Sequence, residues 1–540
     1  MKNIKLQSVF AFILLLCISK GFTDNPIVQT KYTADPAPMV YKDRVYLYTS
    51  HDDDVTEDNF YTMRNYCCFS SGDMVNWTDH GIVATLDKFS WLNGLNNGAW
   101  APQCIEREGK FYLFIPIQGR GIGVLSADSP TGPFTDPVNK ALLSRGNWSD
   151  IDPTVFIDSD DQAYMYWGNG NLWYVKLNEN LTSYSGGVVT INPKPSGFVE
   201  GPWFYKRDSR YYMVYAGMGS GSENIQYAMS SSATGPWTHK GIIMPHGKCF
   251  TNHPGICDFK GKSYLFYHND KLPDGGGYKR SVCVEQFSYN NDGTIPSVAA
   301  TDKGPDQVDS LNPYDTVQAE TICWEKGVET EVCSEGGMNV GNIENGDYIK
   351  VKGVDFGAGA NLFEARVASN TDGGKIELYI DNESGTLIGT CIVPKTGGWQ
   401  NWETKSCTVN NVTGKHDLFL KFTGGSGNLL NVNWWKFQMA TKTASDNLPV
   451  QMKPNKLNVI SKDANTIRFN YNGPEGFSGK NLKVTFSDLQ GRLLVSQLCT
   501  GKTSGILPFT VDRKHLRPGM YMIRISAENK ILFNSCFVLQ

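Results

Sequence analysis

EGPWFYKRDSRYYMVYAG, residues 200–217, reads as a β-hairpin. A glutamate and a proline open an apolar strand, a polar turn follows, and a second strand starts on tyrosines. The plan recurs four more times, as ADPAPMVYKDRVYLYTS (34–50), WAPQCIEREGKFYLFIP (100–116), IDPTVFIDSDDQAYMYWG (151–168) and NHPGICDFKGKSYLFYH (252–268). Ten residues separate Pro36 from Tyr46, Pro102 from Tyr112, Pro202 from Tyr212 and Pro254 from Tyr264; eleven separate Pro153 from Tyr164. The prolines themselves lie 66, 51, 49 and 52 residues apart. Further strand-like runs follow the first four hairpins, such as GIGVLSADSPTGPF (121–134) and IQYAMSSSATGPWTHKG (225–241). Four strands per unit of roughly 50 residues is the signature of a propeller blade, so five units predict five blades over about 25–298. A β-sandwich with coincidental turns does not explain fivefold recurrence at one offset.

The innermost strand of each blade lines the central channel. Residues just before the proline therefore converge at one mouth. They are Asp35, Ala101, Asp152, Gly201 and His253; one position earlier stand Ala34, Trp100, Ile151, Glu200 and Asn252. Carboxylates at the start of apolar strands are costly unless they have a task or a partner. Three in one frame suit glycoside hydrolysis, where one carboxyl must be protonated and another ionised. A third carboxylate can raise the acid's pKa by like-charge repulsion. Placement on different blades favours the wide separation of an inverting enzyme. The HDDD cluster, His51 to Asp54, reads as a solvated loop at the channel rim in preference to a metal site.

Composition agrees. Lys+Arg 50 against Asp+Glu 54 leaves a net charge of −4, which argues against a nucleic-acid-binding protein. Gly 55, Tyr 25, Phe 27 and Trp 13 with only 19% charged residues suit a large β chain with aromatic faces for sugars. Residues 1–21 read as an export signal: Lys2 and Lys5, the apolar run Val9 to Ile18, then Ser19 and Gly21 as small residues before a cut. The run is too short to span a membrane. Leu16 before Cys17 argues against a lipoprotein. Of 13 cysteines, 12 remain after signal removal. Cys323/Cys333 and Cys391/Cys407 are local candidates for pairing, with connectivity open.

The stretches YTADPAPMVY, WAPQCIEREGKFYLF, DIDPTVFIDSDDQAYMYWG, FVEGPWFYKRDSRYYMVY and NHPGICDFKGKSYLFYH, with the ending GYKRSVCVEQFSYNNDGTI, resemble glycoside hydrolase family 43 over about 25–298. The resemblance implies that Asp35 is the general base, Glu200 the general acid and Asp152 the modulator of the acid's pKa. It implies that Trp100, His253 and Arg280 bind substrate, and that His253 helps hold a central calcium through water. The chemistry needs no cofactor. The family includes arabinofuranosidases, β-xylosidases, arabinanases and galactanases. The reading favoured is a secreted inverting enzyme removing α-L-arabinofuranosyl side chains from arabinoxylan. β-Xylosidase or arabinanase activity is the same-class alternative, and a non-catalytic carbohydrate-binding protein the alternative of another class.

Residues 299–316 read as a polar linker. Residues 317–439 read as a jelly-roll β-sandwich. QAETICWEKGVETE, GGMNVGNIENGDYIKV, KTGGWQNWETKSCTV and LLNVNWWKF resemble carbohydrate-binding module family 6. That implies a sugar cleft formed by Glu331, Trp399 and Asn431, and a structural calcium near Glu320 and Asn433. Asn342 stands where the family usually has a second aromatic. After a second linker, 440–455, residues 456–540 read as a small β-sandwich. VTFSDLQGRLLVSQ and LRPGMYMIRISAENKILFNSCFVLQ resemble the sorting domain of type IX secretion. The expected partners are plant cell-wall polysaccharide and that secretion machinery, with no membrane span. The expected location is extracellular or the cell surface, and the expected state a monomer.

Overall fold

The computed structural model describes residues 24–219, 221–247 and 249–439, then seven strands between Lys456 and Leu539 with Asp488 and Arg492. The expected export signal and second linker lie outside the described residues. The chain divides into two compact units, Met1–Thr441 and Lys442–Gln540. The fold is almost entirely β, and among the described residues no helix is long and apolar enough to cross a membrane.

Five antiparallel sheets follow one another over residues 33–287. Their first hairpins are Thr33–Tyr41 with Arg44–His51, Gln103–Arg107 with Lys110–Ile117, Thr154–Ile157 with Ala163–Trp167, Phe198–Arg207 with Arg210–Met218, and Gly255–Phe259 with Lys262–Asn269. The fixed spacing in sequence becomes a fixed register. The repeated tyrosine always faces the third residue after the proline: Met39↔Tyr46, Ile105↔Tyr112, Phe156↔Tyr164, Tyr205↔Tyr212 and Cys257↔Tyr264. Four of the turns start on a left-handed residue, Lys42, Glu108, Asp208 and Lys260 (φ 46–54°), as tight hairpins of right-handed twist require. The third hairpin spends its extra residue on a longer turn, closed by Asp158 N–H donating to the Gln162 carbonyl (3.0 Å).

The first strands pack side by side in cyclic order. Gln103 Nε2 donates to Val155 O (3.4 Å), Phe204 N–H to Thr154 Oγ1 (3.0 Å), and Trp203 Nε1 to Ile256 O (3.0 Å). The ring is closed by the segment just before the first strand. The Asn25 side chain makes both hydrogen bonds of a strand partner with Val284, each 3.0 Å, and Ile27 N–H donates to Val282 O (2.9 Å). The segment then turns inward to become the first strand, so the first and last sheets share one clasp.

The next domain is a sandwich of two antiparallel sheets bridged at Gly389↔Val409. Trp435, Phe363, Phe437, Val351 and Leu420 fill its core. It is joined to the ring by direct contacts. Thr321–Ile322 adds a fifth strand to the first sheet, pairing with Thr78 and Trp77. Asp79 accepts from Lys31 Nζ and from Thr330 Oγ1, both 2.6 Å. Residues 299–316, read as a polar linker, connect the two domains while bound to both. Val308 N–H donates to Asp73 O and Leu311 N–H to Gly353 O, both 3.1 Å, so the segment is a strap with partners on both domains.

In the second unit, Lys456–Lys462, Thr466–Asn472 and Ile506–Asp512 form one sheet. Asn481–Ser487, Leu493–Thr500, Gly519–Ala527 and Lys530–Leu539 form another.

The cysteines separate cleanly. Cys323 Sγ donates to Asp24 Oδ1 (3.2 Å), while Cys333 Sγ accepts from Glu335 N–H (3.4 Å), so these two are not partners. Cys391 and Cys407 lie directly opposite each other, two residues from the Gly389↔Val409 pair, with their thiols in contact. That contact makes the pair the candidate for a cross-strand bridge, although both are free thiols here. A small-molecule disulfide such as oxidised glutathione should convert the pair to a bridge by exchange. The protein should lose two mass units and its Tm should rise by a few degrees. Cys407→Ser should abolish both changes, and an unchanged mass in the parent would show that the pair resists oxidation.

Candidate active site

The ring's inner strands do not begin as regular strands. Asp35, Asp152 and Gly201, each just before a proline, are left-handed (φ 53°, 58° and 57°). Register breaks between Ala34 and Ala37 and between Glu200 and Trp203 mark the two bulges. Proline withholds a ladder hydrogen bond, and the bulge turns a side chain off the sheet face toward the channel. Aspartate tolerates the left-handed region better than most residues, and such strain concentrates at functional sites. Gly201 also avoids crowding, because a Cβ there would stand 3.1 Å from His253 Nδ1.

The result is one cavity of about 400 Å³. It gathers Asp35, Trp100, Asp152, Glu200, His253 and Arg280, all the residues expected at this site. Phe60, Tyr61, Trp148 and Phe250 add aromatic wall, and Tyr278 packs edge-on against Tyr61 and Phe250. Trp148 at 55% and Phe250 at 42% remain exposed at the mouth.

Three carboxyls share this space in three electrostatic settings. Asp35 is buried, which alone would raise its pKa. Arg280 Nη1 donates to its Oδ1 (3.0 Å) and Ser50 Oγ to its Oδ2 (2.7 Å). With His253 and His268 nearby, the net effect holds Asp35 down at about 2. Glu200 is pushed the other way, to about 7, first by burial and then by the Asp35 charge; a hydrogen bond from Asn169 Nδ2 and the charge of Arg280 oppose the rise. Asp152 is raised well above the carboxylate range by burial and by Glu200, although its Oδ2 accepts the Gly201 N–H (2.9 Å). Up to about pH 7, therefore, an ionised Asp35 stands beside carboxyls that retain protons. That is the division of labour of acid–base catalysis.

Arg280 is itself placed by a residue that reads from sequence as part of a solvated loop. Asp52 is fully buried and takes Arg280 Nε and Nη2 in a two-toothed grip (both 2.8 Å), plus the Arg280 backbone N–H (2.9 Å). The cluster is therefore split, and Asp52 belongs inside. Asn169, Tyr61 and Trp148 were also absent from the sequence reading.

His253 is buried beside Asp35, 3.9 Å from its Oδ1, and burial lowers its pKa. Among the described residues no group of three or more His, Cys, Asp or Glu side chains is placed to hold a metal. Glu320 fits a cation better. It is buried, its Oε2 lacks a hydrogen-bond partner, and burial pushes its pKa up to about 8. The Asn433 side chain instead donates to Glu335 (3.0 Å).

In the sandwich, Glu331, Trp399 and Asn431 meet at a cleft of about 260 Å³ together with Glu329, Asn342 and Asn428. Asn431 Nδ2 donates to Glu331 Oε1 (2.6 Å) and to Trp399 O (2.9 Å). Asn342 accepts from Asn428 Nδ2 (3.3 Å), giving the cleft an amide wall there.

Residues 23–295 match glycosyl hydrolases family 43, and residues 318–439 match the carbohydrate binding module (family 6). The chain is 37% identical over 480 residues to an arabinoxylan arabinofuranohydrolase of Bacillus subtilis, covering 76% of this chain and 92% of that one. It is 35% identical over 497 residues to an arabinoxylan arabinofuranohydrolase of Paenibacillus polymyxa, covering 79% and 77%. A crystal structure of a family 43 arabinoxylan arabinofuranohydrolase from Bacillus subtilis, in complex with cellotetraose, aligns with a TM-score of 0.70 at 35% identity, over 77% of this chain and 98% of that one.

Proposed function

Because the chain belongs to glycosyl hydrolase family 43, we propose that it removes α-L-arabinofuranosyl side chains from arabinoxylan, with inversion. The observation that carries this reading is the cavity that gathers Asp35, bound to Arg280 and Ser50, with Glu200 and Asp152, in a chain similar through ring and sandwich alike to arabinoxylan arabinofuranohydrolases. In this reading Asp35 takes a proton from water as it attacks the anomeric carbon. Glu200 gives its proton to the leaving xylan oxygen. Asp152 accepts the Gly201 N–H and so holds the Glu200 backbone; the rise in the acid's pKa comes from burial and the Asp35 charge, so the role expected of Asp152 as pKa modulator becomes one of positioning. The aromatic wall takes the apolar face of the sugar, and Arg280 keeps Asp35 charged. Binding of polysaccharide by the sandwich cleft, a calcium ion at Glu320, and export of a monomer through the type IX route belong to the same proposal.

Digestion of arabinoxylan, linear xylo-oligosaccharides and linear arabinan tests it. Arabinose from arabinoxylan alone is the expected result. Xylose from linear oligomers would make the enzyme a β-xylosidase instead. Trp399→Ala should weaken retention on insoluble arabinoxylan about tenfold, the order of one lost aromatic contact, while leaving the rate on short oligosaccharides unchanged.

A further inference from the structure

A fourth carboxyl lies behind the acid. Glu223 opens the strand Glu223–Ser230, is buried, and does not line the cavity. It pairs with Met218 in the sheet, and its other hydrogen bonds run to the segment that does line it. Glu223 N–H donates to Phe250 O (3.0 Å), and its Oε2 accepts the Asn252 N–H (2.9 Å). The Asn252 Oδ1 in turn accepts the His253 N–H (2.9 Å). From the other side His268 Nε2 meets Thr251 O (3.1 Å) while its Nδ1 faces the Asp35 N–H (3.4 Å). Thus the polar groups of the wall 250–253 are held by two buried side chains, and Glu223 holds its middle.

We propose that Glu223 is a positioning residue, a neutral carboxyl acceptor that fixes Asn252 and His253 against the sugar. A charged carboxylate there would add a further negative charge beside Asp35 and Glu200, with Arg280 already committed to Asp52 and Asp35. Burial and the Glu200 charge push Glu223 up to about 9, which agrees with a retained proton; the Asn252 N–H and Arg280 pull weakly the other way, and Asp35 adds to the rise. With the proton on one oxygen, the other still accepts the Asn252 N–H. A buried N–H stripped of its acceptor costs enough to move the segment.

The inference rests on the cavity being the hydrolytic site, so it is tested on whichever oligosaccharide the unmodified enzyme cleaves. An enzyme that cleaves none would sink the functional reading and not this one. Glu223→Gln keeps an acceptor and can carry no charge; Glu223→Met keeps the volume and loses the acceptor. The Gln variant should stay within about threefold of the parent in kcat/KM. The Met variant should lose about tenfold or more, mostly through KM, the order of one unmade buried hydrogen bond. Glu223→Ala replaces Met should Met fail to fold. A Gln variant as impaired as Met would mean that charge is needed. A Met or Ala variant with lowered Tm but parental KM would reduce Glu223 to a structural residue. Either result overturns the proposal.

Discussion

Glu200→Gln should lower kcat on an unactivated arabinoxylo-oligosaccharide by about 10²–10⁴-fold, the range of a lost general acid, while leaving the fold intact. The loss should shrink to a few-fold on an aryl arabinofuranoside, because a good leaving group departs without a proton. That contrast, measured on two substrates with one variant, identifies an acid and not merely a damaged pocket. The parent's activity should fall as pH rises through about 7, where Glu200 loses its proton. The same shift sets the sign of a stability effect. A carboxyl with a pKa raised from 4.5 to about 7 favours the folded state while protonated and opposes it progressively as pH rises above 4.5, up to about 7. Glu200→Gln, which cannot ionise, should therefore melt a few degrees higher than the parent at pH 8 while being nearly inactive on the natural substrate. A lower Tm at that pH, or parental kcat on the oligosaccharide, would remove Glu200 from the acid's role.

How far the site could be read from sequence follows the repeat. Asp35, Asp152 and Glu200 were legible because five hairpins share one frame, and the proline that fixes the frame stands beside the bulges at Asp35 and Glu200 and the left-handed turn at Asp152. Glu223 was not, because it opens the third strand of its sheet, outside the frame. Asp52 was misread for a related reason. It sits in an acidic run that looks solvated, and its partner Arg280 is 228 residues away; nothing local announces that pair. The 299–316 strap shows the same limit. Its polar composition describes a tether, yet its backbone groups find partners on both domains, and only the folded chain brings those partners near. The clasp at Asn25 likewise closes the ring by contacts 259 residues apart. Periodic features were readable because they repeat, whereas single long-range pairs were not.

Asp35→Asn separates base from acid. The water must be activated whatever group departs, so the loss, again about 10²–10⁴-fold, should be as large on the aryl arabinofuranoside as on the oligosaccharide. The first sugar released by the parent should carry the inverted anomeric configuration, read by NMR before mutarotation. A retained configuration would make Asp35 a nucleophile, and the Asn variant would then be unable to form the glycosyl-enzyme at all. The stability effect has the opposite sign to that of Glu200. Asp35's pKa is lowered from 3.8 to about 2, chiefly because Arg280 outweighs the burial penalty. The ionised pair stabilises the fold above pH 3.8, by on the order of 2 kcal/mol, and that contribution fades as pH falls toward 2. At neutral pH Asp35→Asn should therefore melt lower than the parent, and the gap should close as pH falls. Asp52 keeps its two-toothed hold on Arg280, so the guanidinium is not left buried without a counter-charge and the variant should still fold. The two substitutions thus pull Tm in opposite directions while both remove activity. A cavity whose carboxyls served only to hold the strands together would lose stability from both changes, and that outcome would refute the assignment of base and acid together.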